Sequence, residues 1–305
     1  MILVRKNQEK DFLNSLKRNK INNILIRKKM AKITAAEVNK LRKQTGAGMM
    51  DCKNALVEND GDIEKAIDYL RKKGQKVAAK RSDRDAAEGA ILSGTNADNS
   101  FGAVVMINCE TDFVAKNDDF VAFAKSILDV AIENKTTTVE DLKTLTIGGQ
   151  TIEALILDQV GKIGEKIEIG KFASLNGAYV KTYIHPGNRL ATVVAMSKNV
   201  DGVDEVSKDI AMQVAAMNPV ALNKDLVDKT VIERELEVAK DQIRQEGKPE
   251  AMLEKIATGK LNKFFKENTL LSQAFIKDSK IDVETYAKNL DKDLTVSNFL
   301  RFALA

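Results

Sequence analysis

Two side chains next to each other, Asp112 and Phe113, are the pair in this chain whose types and spacing could do chemistry on a partner. They lie in the run Thr111-Asp112-Phe113-Val114, an acid beside a large apolar ring. A carboxylate can accept hydrogen bonds from a partner or cap a helix. A rigid ring can fill an internal gap or wedge into someone else's. The residues alone leave both readings open: Asp112 caps the following helix while Phe113 packs inward, or the two are presented together as a contact. The apolar, β-branched run Ala103-Val104-Val105-Met106-Ile107 predicts a buried strand just before them, and a helical pattern begins near Asn117. The pair therefore falls on a strand-to-helix connection.

Other chemistry is scarce. Cys52 and Cys109 stand alone, and His185 is the single histidine. A zinc site needs three or four nitrogen or sulfur ligands, so that class is excluded, and histidine-based acid/base catalysis would rest on His185 alone. Phosphate-loop, dinucleotide, Gly-x-Ser-x-Gly and His-Glu-x-x-His patterns are absent; Thr45-Gly46-Ala47-Gly48 lacks both the lysine and the preceding strand. No cofactor is expected. What remains is a non-catalytic protein-interaction module.

Charge and composition narrow the partners. Residues 1–29 hold nine Lys/Arg against Glu9 and Asp11, a balance of +7, which leaves −3 for the rest of a chain whose net charge is +4. The basicity belongs to the N-terminal stretch, so no basic folded surface for nucleic acid is expected. With no tryptophan and four tyrosines, base-stacking platforms are not expected either. No run approaches the roughly 20 apolar residues of a membrane span, and no signal-peptide pattern opens the chain, so the expectation is a cytoplasmic protein without membrane contact.

The elements that must position the pair follow in order. Residues 1–29 are a basic extension, read either as an arm for an acidic partner or as upstream sequence before a second start at Met30-Ala31-Lys32. Thr34 with Glu37 has capping-box spacing, and Gly46 and Gly48 end the helix it opens. Further helices are predicted from Met49 to Asn59 and from Asp62 onward, which makes a three-helix domain over 30–82. Met49 and Met50 sit at a glycine-rich corner; one is expected to fill the core and the other to serve as an adaptable contact. Residues 78–88 form a charged linker or solvated helix. Strands at 89–95 and 101–109 flank the turn formers Asn96 to Ser100. An amphipathic helix through Phe120, Phe123, Ile127 and Leu128 follows.

The hairpin-plus-helix pattern recurs at an offset of 88, with Gly177-Ala178-Tyr179 and Leu190 to Met196, then a helix to Met217. Directly after its strand the second copy has Ser197-Lys198-Asn199, where the first copy's strand is followed by Glu110-Thr111-Asp112. An acid-aromatic pair required by the unit's architecture would recur, so its presence in one copy favours function. Between the copies, short helices at 139–142 and 152–160 and a strand at 165–173 are expected. Ile232, Leu236, Ala239 and Ile243 form a coiled-coil seam over 229–245, and Gly247-Lys248-Pro249 turns it into a second helix, a hairpin that could self-associate. Residues 260–266 return to the body, a helix covers 281–290, and 299–304 end as a strand. The fold class is α+β: core N-subdomain 83–173, core C-subdomain 174–277 with the helical hairpin at about 221–262, and a C-terminal module at 278–305.

Several of these stretches together resemble one family. Thr45 to Lys53 (Thr-Gly-Ala-Gly-Met-Met-Asp-Cys-Lys), Asn108 to Lys116 (Asn-Cys-Glu-Thr-Asp-Phe-Val-Ala-Lys), Ile210-Ala211-Met212, Asn218-Pro219, Lys248-Pro249-Glu250 and Gly259 to Glu267 are similar to bacterial elongation factor Ts, in order, from about residue 30 to the end. The resemblance implies a guanine nucleotide exchange factor for the GTPase elongation factor Tu, acting in translation elongation and catalysing no covalent step. It implies a ubiquitin-associated-like three-helix domain, two related core subdomains and a C-terminal module. It also implies that Thr111, Asp112, Phe113 and Val114 enter the GTPase near its switch helices and displace its Mg²⁺ site. Met49, Met50, His185 and Arg189 are implied as secondary contacts, although Pro186 interrupts the family's His-Gly-x-Arg element. The hairpin resembles a projection associated with dimerisation in some members.

Overall fold

The computed structural model describes residues 33–246, 249 and 252–304. The basic extension, the second start at Met30 and the turn residues Gly247 and Lys248 lie outside them. The fold is mixed α+β.

Thr34 opens α1 (Ala35–Thr45): its hydroxyl accepts from the Glu37 amide, and the Glu37 carboxylate accepts from the Thr34 amide at 2.7 Å. This is the reciprocal cap that the spacing predicts. Helix α2 (Met49–Glu58) follows, then α3 (Ile63–Arg81), which starts on the Asp62 side chain and carries the first part of the charged stretch after residue 78 as helix. Val38, Leu41, Cys52, Ala55, Leu56 and Ala66 form a small shared core.

Strands β1 (Glu88–Thr95) and β2 (Phe101–Cys109) make the first hairpin. A single-turn helix α4 (Asp112–Ala115), the amphipathic α5 (Asp118–Glu133) and the short α6 (Val139–Thr144) come next. A two-residue ribbon of β3 (Thr146–Ile147) and β4 (Gln150–Thr151) leads into α7 (Ile152–Ile163). Strand β5 (Glu168–Asn176) then lies antiparallel on β2. The second hairpin is β6 (Tyr179–Ile184) with β7 (Leu190–Met196), followed by α8 (Val203–Met217).

The helical hairpin is α9 (Lys229–Gln245) and α10 (Leu253–Asn268). The 260–266 stretch does not yet return to the body as a separate segment, because α10 continues unbroken to Asn268. Ala239, Ile243, Leu253 and Ala257 are buried between the two helices. A ribbon of β8 (Ala274–Phe275) and β9 (Asp278–Asp282), α11 (Val283–Leu290) and β10 (Val296–Ala303) complete the chain. Ile281 belongs to β9, and Asp282 caps α11 by accepting from the Thr285 amide. Strand β10 pairs with β7, so each hairpin receives a third strand on its second one.

The described chain forms two compact units, one running through Arg84 and including Ala154–Lys166, the other Asp85–Glu153 and Ile167 onward. In the first, α3 and α7 touch backbone to backbone: a Cβ on Gly161 would sit 2.8 Å from the Gly74 Cα. In the second, the β1-β2-β5 and β6-β7-β10 sheets bury a common core of Ile91, Val104 and Met106 against Val180, Val193 and Ala195. Helix α5 covers β1 and β2, and α8 covers β6 and β7. Strand β2 is buried at all nine positions. A strand buried on both faces carries a continuous apolar run rather than an alternating one, as Ala103 to Ile107 do. This layering gives a stiff frame whose strand ends carry the loops.

Candidate functional site

The frame ends, at the C-terminus of β2, in the Thr111-Asp112-Phe113-Val114 turn. Cys109 is fully buried and its thiol donates to the Thr111 carbonyl at 3.2 Å, so the chain is held as it leaves the strand. Thr111, in an extended conformation at φ −123° and ψ 151°, caps α4 by accepting from the Val114 amide, while the Ala115 and Lys116 amides donate to the Thr111 and Asp112 carbonyls. Asn117, not Asp112, caps α5, accepting from the Asp119 and Phe120 amides. The capping reading of Asp112 is therefore corrected: two other polar residues satisfy the two helix starts.

Phe113 does not pack inward. Its surface is 84% exposed, the highest among the large apolar side chains in the described chain. The one-turn helix explains why: Thr111 and Val114 are partly buried while the residue between them and opposite is turned to solvent. The Asp112 carboxylate is paired at 2.6 Å with the Lys116 ammonium one turn on. The hydrogen bond from Lys116 holds that carboxyl below its ordinary value of 3.8. Lys116 is 75% and Asp112 47% exposed, so the pair is exchangeable rather than a structural anchor. Chemically, the turn presents an ionised acid and an uncovered ring on a short, hydrogen-bonded pedestal.

Met49 and Met50, at the start of α2, are 53% and 60% exposed. Neither fills the core, contrary to the expectation that one would; Cys52, Ala55 and Leu56 occupy it instead. Gly48 precedes them without a side-chain cap, leaving two flexible thioethers at an open helix start.

His185 and Arg189 lie in the turn of the second hairpin. The Tyr183 hydroxyl and His185 Nδ1 are hydrogen-bonded at 2.9 Å, and the His185 amide and carbonyl close the turn with Leu190 and Asn188. The Arg189 guanidinium pairs with the Glu88 carboxylate at the start of β1, and the Ile91 amide donates to the Asn188 carbonyl at 2.7 Å. Because Glu88 stands opposite Cys109 in the β1-β2 register, this turn and the Asp112-Phe113 turn share one end of the second unit. Sequence reasoning missed two residues of this arrangement. Lys116 carried a usable signal, the four-residue spacing from Asp112; Glu88, 101 positions from Arg189, carried none.

Among the described residues, no group of three or more His, Cys, Asp or Glu could hold a metal ion, and no helix is long and apolar enough to cross a membrane. The helical hairpin carries a groove of about 330 Å³ lined by Val238, Leu261 and Phe264 together with Glu235 and Lys263.

A family model described as Elongation factor TS matches residues 110–305, the span that begins at this turn and runs to the end of the chain. The chain belongs to the elongation factor Ts family. An elongation factor Ts of Christiangramia forsetii is 56% identical over 275 residues, covering 90% of this chain and 100% of that protein. That of Flavobacterium psychrophilum is 54% identical over 277 residues, with the same coverage. That of Porphyromonas gingivalis is 49% identical over 273 residues, covering 89% of this chain and 98% of the other. Membership in the elongation factor Ts family makes this a translation elongation factor of protein biosynthesis and not a catalyst of a covalent reaction.

Proposed function

We propose that the chain is a guanine nucleotide exchange factor for elongation factor Tu, and that it works through Asp112 and Phe113. The observation that carries the proposal is the Phe113 ring, held out to solvent on a capped, single-turn helix at the end of a rigid strand. An exposed ring that stabilises nothing in its own fold gains roughly 1.5–3 kcal/mol when a partner buries it. Wedged near the GTPase's switch helices, it would hold open a conformation in which Mg²⁺ and GDP are poorly bound. Asp112 would exchange Lys116 for donors freed by that movement. Thr111 and Val114 keep the pedestal in shape.

Met49, Met50 and His185 are the secondary contacts of this reading. The two hairpin-plus-helix subdomains, related by repetition, serve as the frame of the turn, the 30–82 domain carries Met49 and Met50, and the C-terminal module completes the second subdomain. The helical hairpin is the surface for self-association. The setting is the cytoplasm, where the GTPase works, and no nucleic-acid or membrane contact is required.

Exchange by this route has a thermodynamic signature. If the chain weakens GDP binding by some factor, GDP must weaken binding of the chain by the same factor. Titration of the full chain into elongation factor Tu, with and without GDP, is expected to show much tighter binding to the nucleotide-free form. Equal affinities would contradict exchange and leave a scaffold that holds the GTPase without acting on its nucleotide.

A further inference from the structure

We infer that Arg189 is a positioning residue, not a contact with the GTPase, and that its ion pair with Glu88 sets the spacing between the His185 turn and the Asp112-Phe113 turn. The inference rests on the exchange function proposed above and assigns the work of two residues within it.

The link is built in three steps. Arg189 is fixed through both its backbone and its side chain: its carbonyl accepts from the Leu304 amide at 2.9 Å, and its guanidinium is directed onto the Glu88 carboxylate. The neighbouring Asn188 carbonyl is held by the Ile91 amide, so the turn is pinned to β1 at two points three residues, about 10 Å, apart. Glu88 in turn has little freedom. Its carbonyl accepts from the Asn108 side chain at 3.0 Å, and it pairs in register with Cys109. The next residue, Gly89, sits so tightly on β2 that a Cβ there would come within 2.2 Å of the Ile107 carbonyl oxygen. Cys109 then passes the position to the Thr111 carbonyl, and Thr111 caps the helix that bears Phe113.

A contact between the Arg189 guanidinium and a partner would compete with its internal pair to Glu88, the less exposed of the two carboxylates paired at this end. The same pair is well placed to keep two protruding side chains, His185 and Phe113, at a fixed separation. Positional precision of this kind matters most in the strained, nucleotide-releasing state of the complex and less in the initial encounter.

The test uses the full chain as wild type, Glu88→Ala, Arg189→Ala and the charge-swapped double variant Glu88→Arg/Arg189→Glu. Release of a fluorescent GDP analogue from elongation factor Tu is followed against concentration of the chain. Either alanine variant is expected to lower the maximal release rate about three- to five-fold, the size a partly exposed ion pair can transmit, with the half-saturating concentration little changed. The double variant should recover most of the loss. If Arg189 instead touches the GTPase, Arg189→Ala will raise the half-saturating concentration, Glu88→Ala will be silent and the swap will not rescue; that result overturns the inference while exchange itself stands. Amide hydrogen exchange of the free chain gives a readout independent of the GTPase. Both alanine variants should speed exchange at Ala115 and Lys116 as well as at Ile91, and unchanged rates at Ala115 and Lys116 would overturn the link even if wild type proved to have no effect on GDP release.

Discussion

Replacing Phe113 with alanine separates a ring that serves the fold from a ring that serves a partner. At 84% exposure the side chain contributes almost nothing to the folded state, and alanine is the better helix former within α4. The expected change in stability is within about 0.5 kcal/mol, which in a unit of this size moves the melting temperature by about 2 °C or less. A buried phenyl ring contributes about 1.5–3 kcal/mol, and each 1.4 kcal/mol is about a factor of ten, so kcat/KM for GDP release should fall between about ten- and 150-fold. Stopped-flow release of a fluorescent GDP analogue, over a range of chain concentrations, also shows where the loss lies. A wedge that acts in the releasing state lowers the maximal rate; a ring that only adds affinity raises the half-saturating concentration. The reasoning is refuted if Phe113→Ala melts many degrees lower, or if its exchange rate stays within two-fold of wild type.

Asp112→Asn keeps the shape of the turn but removes its charge, and release of GDP should fall about ten-fold while the melting temperature is unchanged. Because the Lys116 bond depresses the Asp112 carboxyl below its ordinary 3.8, the pair's contribution is complete above that value and is lost as pH falls through the lower folded value. Activity dependent on Asp112 should therefore be flat between about pH 5 and 8, which a pH-rate profile checks. Gly161→Ala places a methyl 2.8 Å from the Gly74 Cα and should cost about 1–3 kcal/mol in the first unit, seen by thermal or urea unfolding. Asp209 is 5% exposed and accepts from both Lys277, at 2.6 Å, and the Tyr286 hydroxyl, at 2.9 Å. Asp209→Ala leaves both donors without it and should lower stability by about 2–4 kcal/mol, loosening α11 from α8 in amide exchange.

Local rules were enough where a signal is local. The Thr34-Glu37 box, the Asp62 cap and the seam that defines Lys229–Gln245 each depend on residues three or four apart, and the structure carries them. The β3-β4 ribbon carries an equally local signal: Gly148 and Gly149, at φ 60° and 83°, are the pair that a tight two-residue hairpin turn needs. Helix α4 was not readable, because four residues are too few to show a period. The candidate site divides in the same way. That an acid and a ring adjoin after a strand is plain in the sequence, but whether the ring faces in or out is decided by which atoms surround it. Here Thr111 and Asn117 take both caps, which leaves Asp112 for Lys116 and Phe113 for solvent. The pairing of Glu88 with Arg189 depends on how two hairpins pack and has no local trace at all.

The most direct test of the account is the rate at which labelled GDP leaves elongation factor Tu in the presence of saturating full chain, wild type beside the double variant Asp112→Ala/Phe113→Ala. Wild type is expected to speed release by orders of magnitude, and the double variant to bind still but lose most of the effect. Binding without acceleration by wild type, or undiminished acceleration by the double variant, would contradict it.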